Sequence, residues 1–207
     1  MSIDADTVKL LLVGDERCGK TTFLSRLSAG EKTNPIPLLR DIDQPFIFNI
    51  YLSAKSYRLE FHDTSSPENW RLLDPDVIVI CYDISQRLSL LNMKRYVRPT
   101  GWGNSQQYAN GIMQWIDEVK KAFPRIDGLP IIILGLKRDL RSETDPNGII
   151  YPQEAYQMAQ TLRADRYVEC SAVTGDLVKL AFEDICATAV KQTTATGGQS
   201  EGGCTIQ

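Results

Sequence analysis

A doubly wound α/β fold, with a mostly parallel six-stranded sheet between two layers of helices, is the architecture this sequence predicts. Three observations predict it. Short apolar β-branched runs alternate with segments of helical period. Two of those runs, Val77-Ile78-Val79-Ile80-Cys81-Tyr82 and Pro130-Ile131-Ile132-Ile133-Leu134, are apolar almost throughout, as strands covered on both faces are. Gly14 to Thr21 reads GDERCGKT, a complete GxxxxGK[ST] loop set between a strand pattern and a helix pattern. Such alternation places ligands at the carboxyl edge of the sheet.

Each element follows from its residues. Val8-Lys9-Leu10-Leu11-Leu12-Val13 is an apolar run of strand length, and Thr22 to Leu27 begins a helix. Gly30 to Pro45 holds Pro35, Pro37 and Pro45 among mixed charges and predicts an irregular, mobile segment. Phe46 to Leu52 and Tyr57 to His62 predict a hairpin turning at Ala54-Lys55. Ile112, Trp115, Ile116, Val119 and Phe123 recur at helical spacing, as do the apolar positions of Gln153 to Leu162 and Leu177 to Val190. Lys191 to Gln207 is rich in Gly, Thr, Ser and Gln, the composition of a flexible linker. The expected organisation is one domain over residues 1–190 and a tail over 191–207, without an internal repeat.

The 207 residues, 43% of them hydrophobic, suffice for one such domain with a full core. A net charge of -3 gives no basic footprint, so no nucleic-acid partner is expected. No stretch approaches the roughly 20 apolar residues of a membrane-spanning helix, and Met1 to Asp6 carries no secretory pattern, so the chain is expected to stay in the cytosol. Cys18, Cys81, Cys170, Cys186 and Cys204 occur without CxxC spacing; the first four are expected to be reduced and mostly buried.

The glycine-rich loop carries the first functional chemistry. Gly14 and Gly19 permit backbone angles that turn successive N–H groups of Asp15, Glu16, Arg17 and Cys18 toward phosphate oxygens, and the helix start at Thr21-Thr22 adds a favourable partial charge. Lys20 supplies a full positive charge for the β and γ phosphates, and the Thr21 hydroxyl can ligate Mg²⁺.

Three further motifs follow in order: Asp63-Thr64, Lys137-Arg138-Asp139 and Glu169-Cys170-Ser171-Ala172, each after a strand pattern. With the phosphate loop they make the chain resemble the Ras superfamily of small GTPases, and GDxxCGKT, ECSA and Tyr151-Pro152-Gln153 resemble its Rho branch, from Val8 to Val190. The resemblance implies a P-loop NTPase fold in a monomer that binds GTP or GDP with Mg²⁺ and engages effector and regulatory proteins. It implies that Thr21 and, through water, Asp63 serve the metal. It also implies that Asp139 accepts hydrogen bonds from guanine N1–H and the 2-amino group, Lys137 lies along the base, the Ala172 N–H meets the guanine oxygen, and Ser171 holds that loop. Taken alone, Lys137 and Asp139 would also suit an ordinary surface pair after a buried strand.

Departures from the family pattern concern hydrolysis and switching. Glu16 stands at a family glycine beside the attacking water and terminal phosphate, where its bulk obstructs and its charge repels. The alternative is a Glu16 that swings to solvent and pairs with Arg17. Where the family has DTAGQE, Asp63 to Glu68 reads DTSSPE: Pro67 replaces the water-orienting Gln, and Ser66 replaces a permissive glycine and is confined by the proline after it. No Thr stands between Leu39 and Asp41, where the first switch should supply a Mg²⁺ ligand; Thr33 is too early, and Asp41 could substitute only by rearrangement. Lys32 falls where an aromatic would lean on the base, and Leu136 replaces the Asn or Thr before Lys137, so one orienting contact is gone.

Cys204-Thr205-Ile206-Gln207 fits CaaX, with a terminal Gln favouring farnesyl, while the tail's single Lys191 leaves a second anchoring signal missing and predicts reversible attachment. Residues 92–111 exceed the family length; their Lys94, Arg95, Arg98, Tyr96, Trp102 and Tyr108 suit either a partner or lipid surface, or a loop whose Trp packs on its own domain. Arg141 to Ile150 is too short for the extra Rho helix, and His62 is expected in a core or strand-edge role. The expected function is an atypical, Rnd-like guanine-nucleotide binder with slow or absent hydrolysis at the cytoplasmic face of a membrane, the plasma membrane first, from which it returns reversibly to the cytosol. A cycling GTPase with a nonstandard second switch and a nucleotide-free interaction module are the alternatives.

Overall fold

Alternation along the first strand decides which helices cover each side of the sheet. In a computed structural model that describes residues 5–30, 33–37, 45–52, 54–63, 70, 72–93, 115–123, 128–142, 144 and 150–195, strand β1 is Asp6–Gly14. Its Leu10 and Leu12 enter one apolar cluster and its Leu11 and Val13 another, as the two-residue period of a strand requires. The other strands are β2 (Phe46–Leu52), β3 (Lys55–Asp63), β4 (Val77–Asp83), β5 (Ile131–Leu136) and β6 (Arg166–Glu169). They form one six-stranded sheet in the order β2-β3-β1-β4-β5-β6. Among these described strands only β2 runs antiparallel to its neighbour. The predicted doubly wound, mostly parallel sheet is the observed one.

Helices α1 (Lys20–Ala29), α2 (Arg87–Leu91), α3 (Trp115–Ala122), α4 (Pro152–Thr161) and α5 (Val178–Ala195) complete the layers. Phe23 and Leu24 of α1 and Ile185 and Ala189 of α5 join Leu10, Leu12, Leu59, Phe61 and Leu134 on one side. Leu90 of α2, Trp115 and Val119 of α3, and Ala155 and Ala159 of α4 join Leu11, Val13, Ile78, Ile80 and Ile133 on the other. Full burial of each large apolar side chain contributes about 1.5–3 kcal/mol. Strand β2 is half covered: Phe46, Phe48, Ile50 and Leu52 pack inward, while Ile47 and Tyr51 are exposed.

Local chemistry sets the boundaries. Pro152 opens α4 at a position that needs no N–H. Gly30 ends α1 with φ 85°, its N–H returning to Arg26 O at 3.0 Å. The five-residue α2 and a 3₁₀ turn at Arg138–Leu140 are elements the periodicity did not announce. Helix α5 continues to Ala195 rather than stopping at Val190, since Lys191 to Ala195 contains neither Gly nor Pro and the first Gly pair follows at 197–198. The main-chain N–H of Trp115 donates to Asn92 O at 3.2 Å, bringing together the two ends of the longer stretch between them. Among the described residues no helix is long and apolar enough to cross a membrane.

Candidate functional site

Strand registry brings the sequence motifs to one edge. Asp63 on β3 pairs with Leu12 on β1, Gly14 with Cys81 on β4, Asp83 with Leu136 on β5, and Gly135 with Glu169 on β6. These strands end together, and the loops after β1, β5 and β6 rise from that edge. Gly14 adopts φ 149° and lies so close to β4 that a Cβ there would meet Cys81 O at 2.2 Å, so no larger residue can start this loop in place. Gly19, at φ 113°, precedes the first turn of α1. Arg17 holds a left-handed φ of 62° without the freedom of glycine, a local strain of the kind found at ligand sites.

Lys20 is 8% exposed and its ammonium lies over the loop, donating to Gly14 O at 2.9 Å and Asp15 O at 3.0 Å. Cys18 Sγ is 3.9 Å away. Among the described residues this cation forms no ion pair with a carboxylate. Thr21, one position on, donates its hydroxyl to the Asp63 carboxylate. The two expected metal contacts therefore meet, and no group of three or more His, Cys, Asp or Glu side chains assembles among the described residues. That donor set suits Mg²⁺, which keeps waters and completes its octahedron with phosphate oxygens.

The loop's acidic residues differ sharply. Glu16 and Arg17 side chains are 85% and 91% exposed and pair at 3.7 Å, so the solvent-facing alternative describes Glu16 here. Asp15 points inward. Its carboxylate accepts from Trp115 Nε1 at 2.8 Å and from Asn92 Nδ2 at 3.0 and 3.1 Å, and the Trp115 ring lies 5.8 Å from that of Trp70. The phosphate loop is thus braced by residues on either side of the longer stretch.

On the base side, Asp139 accepts from Ser171 Oγ at 2.5 Å, and Ser171 Oγ accepts the Thr174 N–H at 3.1 Å. Ser171 therefore links the Asp139 carboxylate to the main chain of its own loop at Thr174. Ala172 lies beside it, its carbonyl accepting from Arg26 Nε at 2.6 Å; Arg26 also reaches Val173 O and Thr33 O. Arg141 binds Glu169 through two nitrogens, at 2.8 and 2.5 Å, tying the loop after β5 to the end of β6. Lys137 adopts φ 60°, and its ammonium lies 2.7 Å from the buried carboxylate of Asp83. Leu136 is 1% exposed in the core; a Cβ on Gly19 would lie 3.7 Å from both the Leu136 side chain and Lys137 Cε. Through that contact the phosphate and base halves adjoin.

Gly14 to Thr22 and Asp63 come together at one end, and Lys137, Asp139, Ser171 and Ala172 at the other. Lys32, Asp41, Ser66, Pro67, residues 94–111 and Cys204 lie outside the described residues. The sequence reading missed Asp83, Arg26 and the donors to Asp15. His62 is the next-to-last residue of β3, with Nε2 buried and without a hydrogen-bond partner among the described residues. Burial, opposed by Glu60 and aided by Lys9, holds its imidazole below the ordinary histidine range, so it is neutral at pH 7, a part-buried residue on an interior strand. Cys18, Cys81, Cys170 and Cys186 are free, buried thiols. Burial raises all of them, Cys170 and Cys186 to about 12, leaving them protonated and unreactive.

A phosphate loop between β1 and α1, facing base-side loops after β5 and β6 on a sheet of this order, defines a mononucleotide-binding α/β domain. The chain belongs to the Ras family, whose pattern matches residues 9–101 and 103–191. It is similar to GTP-binding protein rho2 of Schizosaccharomyces pombe, 28% identical over 96% of this chain and 94% of that one. It is also similar to GTP-binding protein RHO1 of Candida albicans, 30% identical over 84% of each. It is therefore a small GTPase of the Ras family with Rho proteins among its distant relatives.

Proposed function

We propose that the protein is an atypical, Rnd-like Rho protein that holds guanine nucleotide with Mg²⁺, hydrolyses it slowly or not at all, and engages effectors from a membrane. The observation that carries the nucleotide reading is Lys20: a nearly buried ammonium over the phosphate loop whose hydrogen-bond partners among the described residues are two carbonyls and a thiol, which calls for an anionic ligand. Asp139, oriented by Ser171, suits the N1–H and 2-amino donors of guanine and not the corresponding edge of adenine. Thr21 and Asp63 would hold Mg²⁺, which when bound offsets phosphate charge. Release of ligand from denatured, freshly purified protein tests this. Bound GTP is expected; GDP would favour a cycling enzyme, and no nucleotide would overturn the binding reading.

Slow hydrolysis rests on Glu16, Ser66 and Pro67 standing where family chemistry needs glycine, glycine and glutamine. The exposed Glu16–Arg17 pair favours a second reading, a cycling GTPase, because Glu16 in that position leaves room for water at the terminal phosphate. Such an exposed pair is nonetheless a weak tether.

The tail reading divides the chain into a nucleotide-binding domain and a CaaX tail. Cys204-Thr205-Ile206-Gln207 fits CaaX, in which Cys204 would carry a farnesyl group, and one lipid chain without a basic cluster attaches reversibly. Cys204→Ser is expected to move the protein from the membrane to the cytosolic fraction on cell fractionation; an unchanged distribution would count against prenyl anchoring.

A further inference from the structure

We infer that Asp83 is a positioning residue of the base site, supplying through Lys137 the orientation that Leu136 cannot. The inference rests on the guanine-nucleotide reading above. Asp83 ends β4 in register with Leu136 of β5, which places its side chain beside the start of the base-side loop. It is 6% exposed, and both carboxylate oxygens are engaged. Oδ1 accepts the Ser85 N–H at 2.9 Å and the Ser85 hydroxyl at 2.7 Å, which sets the rotation of the group. Oδ2 is left facing the Lys137 ammonium at 2.7 Å.

Lys137 is fixed at its other end as well. Its φ of 60° is held where Leu140 N–H donates to Lys137 O at 2.9 Å and Arg138 N–H to Cys170 O at 3.1 Å. Between these anchors the aliphatic stem passes Gly19, and a four-carbon chain that would otherwise sample many rotamers becomes a wall between the phosphate loop and the base. Leu136 has no polar atom for this purpose, and its side chain belongs to the core.

The two site lysines are sorted by charge. Lys20 meets no carboxylate among the described residues and keeps its charge for phosphate, whereas Lys137 is neutralised by Asp83 and presents an apolar stem to an uncharged base. Without Asp83 the second ammonium would be free to swing toward the phosphates or into water.

Release of a fluorescently labelled GDP tests the inference in wild type, Asp83→Asn, Asp83→Ala and Asp83→Ala with Leu136→Asn. Loss of the charged contact is expected to speed release about tenfold in the single variants, and Leu136→Asn is expected to recover much of it. Unchanged release, or faster release that Leu136→Asn leaves unrescued and that tracks a fall in melting temperature, would overturn the positioning role. A second readout needs no nucleotide: acylation of Lys137, followed by peptide mass spectrometry, should be slow in wild type and faster in Asp83→Asn, and equal rates would overturn the ion pair. Wild type that binds no GDP yet shows this difference in acylation would sink the nucleotide reading and, with it, the base-site role, whereas tight binding unaffected by Asp83 would sink this inference alone.

Discussion

Lys20→Met is expected to leave the purified protein without nucleotide, lowering affinity for GDP and GTP by about 100-fold or more, while the domain stays folded. The ammonium lies over the phosphate loop with backbone carbonyls as its nearest oxygen acceptors, so bound phosphate would find a desolvated cation already in place. Methionine retains most of the stem and its packing and removes only the charge and donors. Folding should be little affected, because no carboxylate among the described residues loses its partner. Calorimetric titration with GDP and thermal unfolding of the same preparation give the two measurements. Wild-type affinity in the variant would show that phosphate binds elsewhere.

The second large effect concerns turnover. Glu16→Gly combined with Pro67→Gln is expected to raise single-turnover GTP hydrolysis about 100-fold over a slow wild type. Proline offers no donor or acceptor side chain to orient water, so adding Gln restores a positioning group, and removing Glu16 clears charge and bulk from the phosphate loop. Glu16→Gln separates charge from bulk: with the repulsion gone and the volume kept, a partial gain assigns part of the block to charge. A wild type that hydrolyses at ordinary small-GTPase rates, or a double variant no faster than wild type, would refute the block.

The sheet was legible because its strands are locally conspicuous. Val77 to Tyr82 and Ile131 to Leu134 are apolar runs whose burial on both faces leaves few other structures open to them. The phosphate loop was legible for a related reason: its glycines, lysine and threonine are contiguous, and a single turn of backbone creates the site. What escaped notice depends on distance along the chain. Asp15 reads as one loop residue among several until Trp115, a hundred positions away, donates to it, and Arg26 looks like a surface cation at a helix end until Ala172 and Val173 accept from it. Asp83 gave a faint signal, a carboxylate closing an apolar strand run with Ser85 two residues on. Short α2 carries too few residues for a helical period to emerge, and the far end of α5 reads as linker because Thr and Gln are poor guides to where a helix stops.

The hydrogen bond between Asn92 O and Trp115 N has a consequence for how such a domain can change over time. It joins two positions that stand on either side of residues 94–114 in the sequence. With two such positions joined, a longer connection between them is inexpensive in general, since each doubling of connection length costs only about 0.6 kcal/mol in closure entropy. Sequence can therefore be added, exchanged or removed there while β4, α3 and the bracing of Asp15 stay in place. Between the same two positions an experimenter would graft a foreign segment and expect the nucleotide site to survive, provided Asn92 and Trp115 keep their hold on Asp15.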